Sequence, residues 1–140
     1  MKIKVFLLCF VVIAIIVFAF IFYSVPKNRV MECSSTMTMV GSDAELKYVF
    51  NGKGSIAKEQ KLYVKLYTTD VDLINEHQNI MSDNLECGGI EIHDDYISYN
   101  CFYDLVKVHY YEDLEEDNGE LKFESLKNEF ENDNFVCVYR

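Results

Sequence analysis

The sequence predicts an α+β protein: an N-terminal transmembrane helix followed by a small antiparallel β-sheet domain, in the order strands, helix, strands, helix, strand, with the helices on one face. Three observations carry this. An uninterrupted apolar run opens the chain, apolar and polar residues alternate with a period of two between residues 44 and 68, and that period gives way to helical spacing after Thr69 and again after Phe123.

The apolar run, Val5 to Tyr23, contains no charge, Gly or Pro. At ~1.5 Å per residue it reaches about 28 Å as a helix, against ~30 Å for the hydrocarbon core of a bilayer. The expected organisation is therefore a cytoplasmic N-terminus over 1–4, a transmembrane anchor over 5–23 with the lipid bilayer as its partner, a linker over 24–31 and an extracytoplasmic domain over 32–140. Lys2 and Lys4 precede the run and Lys27 and Arg29 follow it, so the positive-inside count is nearly balanced. A short basic start before an apolar run is nevertheless what export machinery reads, which directs the domain out of the cytoplasm as a single-pass signal-anchor protein. A cleaved signal peptide is the rival reading. Its cleavage site is poor, because FAFIFYSVPK places Phe, Ile and Tyr where small side chains are needed. Neither Cys9 nor Cys33 sits in a lipoprotein cleavage box.

Composition bounds the rest. About 110 residues after the anchor suffice for one domain with one core. The first 29 residues hold four basic side chains and no acid, so residues 30–140 keep nine basic against 23 acidic ones, a formal −14. Such a surface repels phosphate backbones, which argues against a nucleic-acid partner and fits a cationic partner, a metal ion or simple solubility. Ten Tyr and ten Phe supply apolar area to bury, so disorder does not explain the charge. With Cys9 in the apolar run, Cys33, Cys87, Cys101 and Cys137 form an even set on the side where disulfides persist. Four cysteines permit three pairings. Cys87 with Cys101, bracketing a hairpin, and Cys33 with Cys137, tying the first strand to the last, are favoured.

The elements follow in order. Glu32 to Val40 sets Met37 and Met39 against Thr36 and Thr38, a strand, and Gly41, Ser42 and Asp43 turn the chain. Ala44, Leu46, Tyr48 and Phe50 then alternate with polar residues, and Asn51 to Gly54 give a hairpin signal. The returning strand, Ser55 to Thr68, puts Ile56, Leu62, Val64 and Leu66 on a dry face and Glu59, Lys61, Tyr63, Lys65 and Tyr67 on a wet one. Thr69 or Asp70 caps a helix that runs to about Asn84 and covers the dry face. Ile90 to His93 resumes a strand, Asp94 and Asp95 turn it, and Tyr96 to Tyr111 returns with Ile97, Tyr99, Cys101, Tyr103 and Leu105 on one face and Val106, Val108 and Tyr110 on the other, so that a bulge or bend is expected near Asp104. Glu112 to Glu120 is an acidic loop, Phe123 to Asn132 a short amphipathic helix, and Phe135, Cys137 and Tyr139 alternate in a final strand.

With this order in view, residues 33–140 resemble the YehR-like family of small bacterial lipoproteins. The likeness rests on an export segment, the start Cys33, Ser34, Ser35, Thr36, the meander ELKYVFNGKGSIAKEQKLY, a helix, the hairpin at Asp94 and Asp95, and SLKNEFENDNFVC from Ser125 to Cys137. It implies an antiparallel α+β domain displayed outside the cell and transfers no functional residues. Family members carry a lipobox cysteine, which Cys33 is not, so a transmembrane helix stands here in place of the lipid.

Catalytic chemistry has no organising motif. No two cysteines stand three apart as a thioredoxin-type pair requires, and neither a G-x-S-x-G elbow nor an H-E-x-x-H helix is present. Cys87, His93, Cys101 and His109 match no compact zinc pattern. His77 rims the packed face of its helix. Calcium is a near miss: Asp113, Glu115, Asp117 and Glu124 fall at the first, third, fifth and twelfth places of a calcium loop, but Gly119 comes one place late. No cofactor is expected. The sequence thus predicts a non-catalytic membrane-anchored module that binds a cell-envelope component or partner protein through Tyr63, Lys65 and Tyr67 or through the acidic loop. The alternative is an extracytoplasmic enzyme or calcium-dependent site on loop 112–120.

Overall fold

A computed structural model describes residues 2–39 and 41–140, with side chains from Val11 onward. It is an antiparallel β-sheet domain with three helices. The transmembrane helix expected over 5–23 is corrected. A helix, α1, forms over Lys2–Ser24, but among the described residues no helix is long and apolar enough to cross a membrane. The described side chains of α1 begin at Val11. Those side chains are exposed. The expectations for residues 1–4 and for Cys9 concern side chains outside the described residues, as does that for Val40.

The sheet is built from β1 (Asn28–Met39), β2 (Ser42–Lys53), β3 (Ile56–Leu66), β4 (Glu91–Ile92), β5 (Ile97–Asp104), β6 (Leu121–Lys122) and β7 (Val136–Tyr139). Its order is β4-β5-β3-β2-β1-β7, with β6 added to β3. The linker expected over 24–31 ends early, because Asn28 to Met31 already pair with Lys53 to Phe50 across the first hairpin. In β3 the expected face of Ile56 is also corrected. Asn51 faces Glu59 while Gly52 faces Ala57, so Lys58 is an extra, bulged residue and the alternation changes parity there. Ala57, not Ile56, joins Gln60, Val64 and Leu66 on the buried side. Gly52 makes the bulge possible: a Cβ on it would lie 1.9 Å from the Ile56 carbonyl oxygen.

Both remaining helices cover the same face of the sheet. α2 (Val71–Ser82) is capped by Asp70, whose carboxylate accepts the Asp72 and Leu73 backbone N–H groups at 2.9 and 3.3 Å. Its Leu73 and Ile74 pack with Ala44, Leu66 and Ile97. α3 (Phe123–Asn132) buries Phe123, Leu126 and Phe130 against Met31, Cys33, Phe50 and Ala57. Arg29 lies over the rings of Tyr139 at 3.9 Å and Phe123 at 5.7 Å, closing this end of the core. Cys33 and Cys137 stand directly opposite each other on β1 and β7 and are bonded, and Cys87 is bonded to Cys101. The favoured pairings are therefore those of the fold.

The strand expected over Tyr96 to Tyr111 stops at Asp104. There the Asp104 carboxylate accepts the Val106 and Lys107 N–H groups at 3.1 and 3.3 Å, an Asx turn that replaces the sheet ladder. A hydrogen bond from Lys107 holds that carboxyl below its usual range. Ile97 and Cys101 are buried on the helix-covered face, as their alternation predicts. Along the outer edge of β5, Gly88 N–H donates to the Asn100 carbonyl at 2.8 Å and Phe102 N–H to the Glu86 carbonyl at 2.7 Å, so the segment after α2 covers what would be open edge. The acidic loop is partly ordered: Glu112–Leu114 form a 3₁₀ turn, and Gly119, with φ 74°, turns the chain into β6.

Candidate functional site

Among the described residues no helix packs on the face of the sheet turned away from α2 and α3, and the predicted residues Tyr63, Lys65 and Tyr67 lie there together. The pairing of β2 with β3 sets Lys47 beside Tyr63 and Glu45 beside Lys65. Lys47 Nζ then lies 4.9 Å from the centre of the Tyr63 ring, and Lys65 Nζ lies 4.6 and 4.2 Å from the rings of Tyr67 and Tyr96. The Tyr67 hydroxyl donates to Glu45 Oε1 at 2.6 Å. Tyr67 beside it, together with the nearby Glu45, holds the Lys65 ammonium above its usual range. Beyond Tyr96, the His93 ring stacks on it at 4.2 Å.

This arrangement is a grid in which each ammonium sits on a phenol ring, a geometry that fixes long side chains otherwise free in water. Two depressions flank Glu45. One of about 330 Å³ is lined by Glu45, Tyr63, Lys65, Glu91, Ser98 and Asn100, and one of about 560 Å³ by Thr36, Thr38, Asp43, Glu45 and Tyr67 among others. Tyrosine faces, hydroxyls, amides and both signs of charge are thus offered on one open surface, which suits stacking and hydrogen bonding to an extended partner. Sequence reasoning found the β3 members because they alternate in one strand. It missed Tyr96 as their companion, since its place depends on how β5 pairs with β3.

The predicted calcium ligands do not converge. Asp113 lies in the 3₁₀ turn and Glu124 in the first turn of α3. Glu115 faces His109 instead, with its two oxygens 2.9 and 2.8 Å from Nδ1. Asp117 is exposed in the turn before Gly119. Among the described residues no three His, Cys, Asp or Glu side chains come together as a set that could hold a metal ion. In the zinc combination, Cys87 and Cys101 are consumed by their disulfide. His77 does not rim the packed face of α2 but is buried in it beside Leu73, with its ring 6.1 Å from Tyr99 and, among the described residues, its Nδ1 without a hydrogen-bond partner.

No family model, no curated protein and no solved structure matches the chain.

Proposed function

We propose that this chain is an extracytoplasmic, non-catalytic binding module that engages a cell-envelope component or partner protein through the uncovered sheet face. The observation that carries the reading is the ordered grid of Lys47, Tyr63, Lys65, Tyr67, Glu45 and Tyr96 on a face to which, among the described residues, no helix is packed. Two disulfides favour an oxidising compartment. A relationship to the YehR-like lipoproteins belongs to the same proposal. No specific observation favours the alternative of an enzyme or calcium-dependent site on loop 112–120, where Glu115 is paired with His109 and Glu116 with Lys122 at 2.5 Å.

The test is capture from cell-envelope fractions by the immobilised chain, run beside a Tyr63→Ala/Lys65→Ala variant of equal melting temperature. Specific capture by the parent that falls by about tenfold in the variant, as the loss of one or two cation–π anchors predicts, supports the reading. Equal capture by both, or none above background across a range of salt, removes it.

A further inference from the structure

On the other side of the domain, where α3 ends, a hollow of about 330 Å³ is walled by Tyr48, Tyr110, Tyr111, Phe130 and Phe135. The rings hold one another edge-on: Tyr48 meets Phe130 at 4.7 Å and Phe135 at 5.6 Å, and Phe130 meets Phe135 at 5.1 Å. Phe130 is buried, while Tyr110 is 53% exposed and the other three are half-buried, so ring surface remains open to the hollow. Among the described residues every cation seated on an aromatic ring is elsewhere, on Phe123, Tyr139, Tyr63, Tyr67 or Tyr96.

The rim of this hollow is formed by Glu112, Asp113, Glu129 and Asp133. None of the four has an ion-pair partner among the described residues, whereas their neighbours Glu115, Glu116 and Glu131 are each paired, with His109, Lys122 and Lys127. Two of them, moreover, sit at the C-terminal end of α3, where the helix dipole already places negative charge and a basic residue is favoured; the last turn has none. Aromatic walls, four unanswered carboxylates and a helix C-terminus therefore all call for a positive charge that the protein does not supply.

A metal cation would have to shed water to reach ring faces, and the rim carboxylates form no metal-holding set. A quaternary ammonium has little hydration to lose and is the cation that aromatic walls bind best. The acidic rim also repels any anion carried beside the ammonium. We infer that the hollow between the end of α3 and Tyr110–Asp113 is a binding site for a small quaternary ammonium compound with no neighbouring anionic group, of the choline type and not of the phosphocholine or betaine type. Burial, which holds the Tyr48 and Tyr111 phenols above their usual range, keeps two of the walls neutral over the pH range in which such a ligand would bind.

The full chain is titrated with choline chloride, with sodium chloride at equal ionic strength and with glycine betaine, following tyrosine and phenylalanine ring signals by nuclear magnetic resonance. A saturable shift of the wall rings by choline, with a dissociation constant on the order of 1 mM and at least about tenfold weaker binding of betaine, is expected. Tyr110→Ala, at an exposed position, and Glu129→Gln/Asp133→Asn, at exposed rim positions, should each weaken choline by about tenfold while leaving the melting temperature in place. The inference fails if choline produces no saturable shift, if sodium chloride or betaine reproduces it, or if neither variant weakens it. Because none of these residues lies on the uncovered sheet face, its failure leaves the proposed capture function untouched, and the reverse holds as well.

Discussion

The two disulfides close loops of very different length, and this difference can be measured. Cys33 and Cys137 are 104 residues apart, Cys87 and Cys101 only 14. In the chain-entropy description, a cross-link of the longer kind raises the free energy of the unfolded chain by about 4.7 kcal/mol and one of the shorter kind by about 3 kcal/mol. With the shorter bridge intact, the effective longer loop shrinks to about 90 residues, which lowers the first figure by only about 0.1 kcal/mol. Both pairs join adjacent antiparallel positions, Cys33 opposite Cys137 and Cys87 opposite Cys101, so the native ladder at each site survives the loss of the sulfur link. Replacing Cys33 and Cys137 by Ala should thus cost roughly 1.5 kcal/mol more than replacing Cys87 and Cys101. Urea unfolding of the two double variants, with slopes compared to verify that a common transition is followed, provides the difference. Equal costs, or a larger cost for the Cys87–Cys101 pair, would show that loop entropy does not govern how this domain is held.

Three further outcomes are expected. Gly52→Ala should cost about 2 kcal/mol in thermal unfolding, since its Cβ would collide with the Ile56 carbonyl, while Gly89→Ala, with open space around it, should change little. Burial raises the Tyr48, Tyr99, Tyr103 and Tyr111 phenols above their ordinary 10.0; the unfolded chain therefore loses those protons first, and urea midpoints should hold up to about pH 10 and fall above it as the pH rises through the folded-state values. A midpoint rising between about pH 10 and 11 would contradict the sign. Asp70→Ala removes the cap of α2 and should cost about 1 kcal/mol, with faster amide exchange in residues 71–82 and no change in α3.

What could be read in advance follows the range over which each signal acts. Ile97, Tyr99, Cys101 and Tyr103 were readable as one face of β5 because strand alternation is local. The bulge at Lys58 was not, since it exists only where β2 and β3 are matched residue by residue, and Gly52 signals a turn as readily as a close approach. A bend near Asp104 was readable from the change of face, but not that β5 ends there, because Val106, Val108 and Tyr110 resume an apolar alternation that the Asp104 side chain overrides with two backbone hydrogen bonds. The same division separates the two candidate surfaces. Tyr63, Lys65 and Tyr67 share one strand and announce themselves, whereas Tyr48, Tyr110, Tyr111, Phe130 and Phe135 come from three separate stretches that only the folded core brings to one place. The apolar run was legible as a helix, and α1 spans it.

The position of the longer disulfide also decides how the domain bears load. The first residues of β1 and the last of β7 lie side by side at one end of the sheet, where Arg140 N–H donates to the Val30 carbonyl at 3.0 Å and the Arg140 guanidinium meets Glu32 at 2.8 Å. A pull on the chain at Lys27 and at Arg140 would act in the unzipping direction, opening these links and the pairing of Asn28–Glu32 with β2 one pair at a time. Past Glu32 and Val138 it would meet the covalent bond between Cys33 and Cys137. Tension is then carried from one flank of the chain to the other through two sulfur atoms, and the rest of the sheet, both sheet-covering helices and both candidate surfaces hang from that bond without being stretched. Reduction would transfer the same force to the whole interior, so the oxidised and reduced forms should differ far more in extension under force than in their folded structure at rest.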